Sequence, residues 1–95
     1  MTGDDGCLSP HLPMPQRDHV RLTWLEPCGI LERVRVVVWT CTCRALFYEL
    51  CEGGGQTLIR RILQAEGGAV VHETRPCSTV EARTMWTALL SGRAR

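Results

Sequence analysis

The sequence predicts an α+β domain: an antiparallel β-meander of four or five strands with one C-terminal α-helix packed on one face. Glycine-rich turns at 53–55 and 67–68 separate runs of strand length, and glycine permits the positive φ that hairpin loops need. After Pro76, the residues Ser78-Thr79-Val80-Glu81 carry the Ser-x-x-Glu pattern of a capping box, which marks a helix N-terminus. Two consecutive hairpins therefore lead into one helix.

The predicted helix has a single apolar stripe. Its apolar residues recur at the i, i+3, i+4 and i+7 spacing that places side chains on one face. Gly92 stands where a residue in the left-handed conformation would end the helix. The residues that we expect to pack on the sheet are Met85, Trp86, Leu89 and Leu90.

The segments upstream of the helix have strand patterns. Residues 20–25 alternate apolar and polar side chains, and residues 32–43 are rich in β-branched residues. Residues 43–51 fit both helical spacing and strand alternation. We assign them as a strand because the triple glycine closes a short loop onto residues 56–63. The last predicted strand covers residues 69–74.

The first residues differ in composition from the rest. Residues 1–18 contain Pro10, Pro13 and Pro15 and lack periodicity, so we expect a disordered or loosely attached N-terminal arm. We expect His11, within this arm, to be solvated and a poor ligand. Residues 19–95 form the single predicted domain, since a chain of 95 residues has room for one modest core.

Composition and charge indicate a soluble protein. No apolar run approaches the length of about 20 residues that a membrane span requires. The acidic, proline-rich start lacks the pattern of a signal peptide, so we expect a cytoplasmic location and no membrane partner. All 11 basic residues are arginine, yet the net charge of +1 gives no basic field for a polyanion.

Six cysteines are present without a C-x-x-C pair or zinc-finger spacing. Cys41-x-Cys43 would place two thiols on one face of a strand, which makes half of a metal site. Isolated thiols in apolar strands usually behave as small buried hydrophobes, so we assign no metal ligands and no cofactor. A thiol-based metal or redox sensor is kept as an outside alternative.

No catalytic motif stands out, and we predict that the protein is not an enzyme. The pairing of His72 with Cys51 or Cys77 has the residue types of a nucleophile and its base, but no motif fixes their geometry. We therefore assign no catalytic residues.

The predicted strands are apolar on both faces, whereas one helix covers only one face. On strand alternation, Val34, Val36 and Val38 would share one side, and Val37, Trp39 and Cys41 the other. The second face would be covered by the segment around Trp24 or by a second copy of the chain, and we hypothesise a homodimer with a further, unidentified regulatory protein partner. The candidate interaction residues are Val37, Trp39, Phe47, Arg60 and Arg61.

A nucleic-acid-binding regulator is the alternative hypothesis. Arg60-Arg61 and the arginines of neighbouring strands would form a basic patch beside Phe47 and Tyr48. The low aromatic content and the near balance of acidic and basic residues favour ion pairs between strands instead.

The second half of the chain resembles a known family. The similarity covers about residues 43–95, and the segments that carry it are Phe47-Tyr48-Glu49-Leu50-Cys51, Gly53-Gly54-Gly55, Ile59-Arg60-Arg61, Val71-His72-Glu73-Thr74 and the C-terminal stretch 86–95. In these segments the chain resembles the small BldB-like regulatory proteins of Streptomyces and related actinobacteria. The resemblance implies a non-enzymatic, self-associating cytoplasmic regulator of morphological differentiation and antibiotic production, with no catalytic residues to assign.

Overall fold

The computed structural model describes residues 9–27 and 34–95 of the chain. The described residues form a four-stranded antiparallel sheet of order β1-β2-β3-β4 and one C-terminal helix. The predicted α+β meander is therefore confirmed, with four strands. The elements are β1 (Arg35–Trp39), β2 (Leu46–Gly53), β3 (Gln56–Ala65), β4 (Gly68–Glu73) and α1 (Thr79–Leu90).

Both predicted hairpins form where the glycines lie. The β2–β3 turn contains Gly54 and Gly55 at φ values of 57° and 77°, in the region that side chains with a Cβ rarely adopt. The β3–β4 turn has Gly67 and Gly68 at positive φ as well. Residues 43–45 belong to the turn before β2, so the ambiguous segment becomes a strand only from Leu46 onward.

A β-bulge in β1 changes which of its residues share a face. The register with β2 shifts between Val36 and Val38, so one extra residue is accommodated at Val37. Simple alternation, which placed Val36 with Val38 and Val37 with Trp39, is wrong across this bulge. Val36 and Trp39 instead share the face turned away from α1, because of their partners on β2. The pairs are Val36 with Cys51, Val38 with Leu50, and Trp39 with Glu49.

The core lies between α1 and the middle strands of the sheet. The apolar stripe predicted for the helix faces this core, with Trp86 and Leu89 buried and Met85 and Leu90 partly buried against it. The buried cluster comprises Tyr48, Leu50, Ile59, Ala82, Trp86 and Leu89.

Both ends of α1 carry the caps that the sequence predicts. The Ser78 side chain accepts a hydrogen bond from the N–H of Glu81 at 3.2 Å. At the other end Gly92 has φ +77°, and its N–H donates to the carbonyl of Leu89 at 3.1 Å. The next N–H, of Arg93, donates to the carbonyl of Ala88 at 2.8 Å, which completes a Schellman motif.

The N-terminal segment lies on the same side of the sheet as α1. Leu12, Leu22 and Trp24 pack against the core cluster, so this segment extends the helix layer and does not cover the second face of the sheet. Residues 20–25, predicted as a strand, contribute isolated bridges at Val20 and Leu25.

Backbone hydrogen bonds tie the N-terminal segment to the last residues of the chain. Of the predicted arm, residues 1–8 lie outside the described part, and residues 9–18 follow the protein surface to these bonds. A Cβ on Gly92 would meet the carbonyl oxygen of Met14 at 2.8 Å, so the segment passes directly over the end of the helix. The bonds run from Gln16 N–H to Gly92 O (2.7 Å), from Val20 N–H to Arg93 O (2.8 Å) and from Leu22 N–H to Arg95 O (2.8 Å).

Within residues 9–27 and 34–95, no helix is long and apolar enough to cross a membrane.

Replacing Trp86 by Ala should lower the free energy of unfolding by about 3–5 kcal/mol, because the buried indole is lost and leaves a cavity. Urea denaturation followed by circular dichroism measures this. Val80 lies on the exposed side of the same helix at 77% exposure, and Val80→Ala should change stability by less than about 0.5 kcal/mol. Equal effects of the two substitutions would contradict the packing of α1 on the sheet.

Replacing Gly92 by Ala should destabilise the protein more than replacing Gly55, although both glycines have φ +77°. The shared backbone strain costs about 1–2 kcal/mol in each variant. Only at Gly92 does the new methyl group also meet the Met14 carbonyl, whereas a Cβ on Gly55 meets nothing within 4 Å. The difference between the two urea midpoints therefore measures the docking of the N-terminal segment, and equal midpoints would show that this segment is not docked.

Candidate functional site

The sheet face turned away from α1, here called the rear face, mixes apolar and charged side chains. Strand alternation and the observed register place its residues in rows across the strands. The members among the described residues are Val36, Trp39, Phe47, Glu49, Cys51, Leu58, Arg60, Ile62, Val71 and Glu73. Cys51, Leu58 and Ile62 are buried, whereas Val36 and Trp39 at the β1 side are exposed.

One row of the rear face is a network of ion pairs. Arg60 Nε lies 3.0 Å from Glu73 Oε2, and Arg60 Nη1 lies 3.3 Å from Glu49 Oε1. Burial acts to lower the pKa of Arg60, but the neighbouring Cys51, the hydrogen bond that Arg60 donates to Glu73 and the charge of both carboxylates raise it above its ordinary value. The Arg60 guanidinium is therefore positively charged, and its Nε and Nη1 groups donate to the carboxylates of Glu73 and Glu49 in the same sheet.

The thiol of Cys51 is protonated at neutral pH and therefore a poor nucleophile. Burial raises the pKa of this thiol from 9.0 to about 11, against a smaller lowering effect of Arg60. Burial also raises the pKa of Cys77. The thiolate is the nucleophilic form, so neither environment activates the sulfur.

The structure separates His72 from the two cysteines considered as its partners. His72 pairs with Arg61 and lies on the helix side of the sheet, whereas Cys51 lies on the rear face. Cys77 forms an isolated β-bridge with Thr57. Thr57 lies about 13 Å along β3 from Arg61, the residue that pairs with His72. Neither pair forms a nucleophile and base.

The predicted interaction residues do not form one surface. Trp39, Phe47 and Arg60 lie on the rear face, and Val37 lies at the bulge of β1. Arg61 is on the opposite side of the sheet, because consecutive strand residues alternate. Its guanidinium carbon lies 4.7 Å from the centre of the Trp24 ring, a cation–π geometry. The basic patch predicted around Arg60 and Arg61 is therefore divided between two faces.

A groove on the helix side has an apolar floor and cationic margins. Arg95 donates hydrogen bonds to the backbone carbonyls of Leu89, Ala94 and Pro13, so this charge is engaged by the chain itself. Burial raises the pKa of Tyr48, the phenol in the floor, despite the lowering influence of Arg95 and Arg61. The described lining residues are Pro15, His19, Leu46, Tyr48, Arg61, Leu63, Val70, His72 and Arg95.

The two edges of the sheet differ in their backbone partners. At the β4 edge, Leu25 and Glu73 exchange two backbone hydrogen bonds of 2.7 and 2.8 Å. At the β1 edge, no residue in the described ranges forms such a bond with Arg35–Trp39 from outside the sheet. This edge strand also exposes large apolar side chains: Val36 by 38%, Val38 by 36% and Trp39 by 46%.

A cluster of two thiols and one imidazole occupies the β1–β2 turn. The Sγ atoms of Cys41 and Cys43 lie 3.2 Å apart, and Nε2 of His11 lies 3.1 Å from Cys43 Sγ. The three ligand atoms are all within 4.8 Å of one another. His11, expected to be solvated, is half-buried in this cluster. Nothing local in the sequence indicates the contact, because the residues that meet are 32 positions apart.

Comparisons with protein-family models, with curated proteins and with solved structures found no match to this chain.

Replacing Arg60 by Met should lower the free energy of unfolding by about 1–3 kcal/mol, since two half-buried carboxylates then lose their shared donor. The matched control is Arg35→Met, which removes a cross-strand pair with Glu52 at 3.3 Å. The Arg35 side chain is 79% exposed, so its loss should cost less than about 0.5 kcal/mol. Denaturation of both variants by urea gives the comparison, and an Arg60 variant as stable as the Arg35 variant would contradict the network.

Proposed function

We propose that this chain is a small, non-enzymatic regulatory protein that self-associates through the edge strand β1. The observation that carries the proposal is that β1, an edge strand without an outer backbone partner among the described residues, exposes three large apolar side chains. A β-edge of this kind is a template for pairing with another strand. Monomeric proteins usually protect such an edge, and the β4 edge of this sheet is protected in that way by Leu25.

A second copy of the chain is the occupant that fits this edge. Antiparallel pairing of β1 with its own copy is compatible with a twofold axis. The five residues of β1 in one copy then form the backbone hydrogen bonds with the same five residues of the other. A twofold axis perpendicular to the sheet keeps the rear faces of the two copies on the same side. Val36 and Trp39 of one copy then lie on the same side of the continuous sheet as Val36 and Trp39 of the other.

The charges of the molecule favour self-association over nucleic-acid binding. Arg60 is shared by Glu49 and Glu73, Arg35 is paired with Glu52, and Arg61 lies over Trp24. Arginines held in this way offer few donors to phosphates. A salt-titrated assay with duplex DNA and single-stranded RNA distinguishes the hypotheses, because affinity that rests on phosphate contacts falls steeply with salt.

The regulatory part of the proposal rests on the resemblance of residues 43–95 to BldB-like proteins. It extends to a cytoplasmic role in morphological differentiation and antibiotic production, with a further protein partner. A pull-down from an actinobacterial host with the wild-type chain as bait tests for that partner.

Sedimentation equilibrium at micromolar concentration tests the dimer. The wild-type chain should sediment as a dimer and Val38→Lys as a monomer, because a charge on the edge strand opposes pairing. Val80→Lys is the matched control: it makes the same change at an exposed valine on α1 and should leave the dimer intact. Circular dichroism of the Val38→Lys variant should show the wild-type fold.

Two results would overturn the proposed dimer. One is a monomeric wild-type chain at these concentrations. The other is a dimer that persists in Val38→Lys, which would place the interface elsewhere.

A further inference from the structure

The β1–β2 turn and the N-terminal segment together bring three metal-ligating side chains to one place. Cys41 and Cys43 are separated by Thr42 in this turn, which directs both sulfurs to the same side. The backbone N–H of Cys41 donates to the carbonyl of Pro10 at 2.8 Å. This bond fixes the residue next to His11 against the turn, so the imidazole is positioned by main-chain geometry.

The distances suit a tetrahedral ion bound by nitrogen and sulfur. With Zn–S of about 2.3 Å and Zn–N of about 2.0–2.1 Å, neighbouring ligand atoms lie about 3.5–3.8 Å apart. In the protein the corresponding distances are 3.2 Å between the sulfurs and 3.1 Å from His11 Nε2 to Cys43 Sγ. These two distances therefore need to lengthen by only about half an ångström to admit zinc, and the third pair, His11 Nε2 and Cys41 Sγ, lies within 4.8 Å.

We propose that His11 Nε2, Cys41 Sγ and Cys43 Sγ bind one Zn²⁺ ion per chain. Two thiolates and an imidazole form a borderline-soft donor set, which suits zinc and excludes Mg²⁺ and Ca²⁺. On binding, the two thiols release their protons to solvent while the neutral imidazole keeps its Nδ1 proton. Affinity therefore rises with pH.

The metal joins parts of the chain that are far apart in sequence. His11 belongs to the N-terminal segment, whereas Cys41 and Cys43 follow β1 directly. Zinc therefore fixes the start of the described segment to the β1–β2 turn and slows the opening of the hydrogen bond between Pro10 and Cys41. None of the three ligands belongs to β1, so the site is complete within one chain.

Equilibrium dialysis of the full chain against buffered zinc, with a reductant that does not bind zinc, tests the site. The wild-type chain should bind one zinc per chain. His11→Ala and Cys43→Ser should each weaken binding more than about 100-fold, since even loss of an outer-shell partner costs 10–100-fold. His19→Ala and Cys77→Ser remove an imidazole and a thiol outside the cluster and should retain wild-type affinity.

Two further measurements separate a bound metal from a merely structural role of these residues. Substitution with Co²⁺ should give the intense visible absorption of tetrahedral cobalt and a sulfur-to-cobalt charge-transfer band, both lost in Cys43→Ser. Zinc should slow hydrogen exchange at the Cys41 amide in the wild-type chain and leave it unchanged in His11→Ala. The variant Val38→Lys should still bind one zinc per chain, so failure of the dimer and failure of the metal site are distinguishable.

Three results would overturn the site. These are wild-type affinity no tighter than that of Cys43→Ser, a stoichiometry of one zinc per two chains, and cobalt spectra without a sulfur charge-transfer band.

Discussion

The packing of one short helix against the centre of the sheet is the contact on which the rest of the structure depends. A helix of 12 residues is about 18 Å long, so α1 covers the middle strands through Trp86 and Leu89 and leaves part of the same face bare. The N-terminal segment completes that layer with Leu22 and Trp24. Because this segment must pass the end of the helix to reach its position, the first described residues and the last residues of the chain become neighbours.

Elements with a local signature could be predicted from the sequence, and elements that depend on distant contacts could not. The Ser78 cap, the Gly92 terminator and the glycine turns are each set by residues a few positions apart, and each forms as predicted. The docking of the N-terminal segment depends on main-chain hydrogen bonds to residues 92–95. No pattern of side chains in the sequence predicts these bonds. The bulge at Val37 has the same character, since a run of valines is equally compatible with either register.

The basic patch predicted around Arg60 and Arg61 is wrong for a different, local reason. Alternation alone separates Arg60 from Arg61, so a basic patch containing both is incompatible with a strand. The network then shows why arginine suits the rear face: its planar fork reaches Glu49 and Glu73 at once, which the single point charge of lysine does poorly. With these charges satisfied within the sheet, the proposed self-association uses the edge strand β1, which exposes Val36, Val38 and Trp39, instead of the face of the sheet.

The thiol cluster and the β1 edge adjoin each other, which connects the two proposed properties. A groove beside the edge strand is lined by Ser9 and Pro10 together with Val37, Val38 and Trp39. A second copy that pairs with β1 therefore contacts the same N-terminal residues that a metal at His11 would hold in place. Any ion that binds the ordered form of this segment more tightly than the detached form shifts the population toward the ordered form. Such coupling is reciprocal: to the extent that zinc orders the segment that a second copy contacts, dimerisation tightens zinc binding by the same factor.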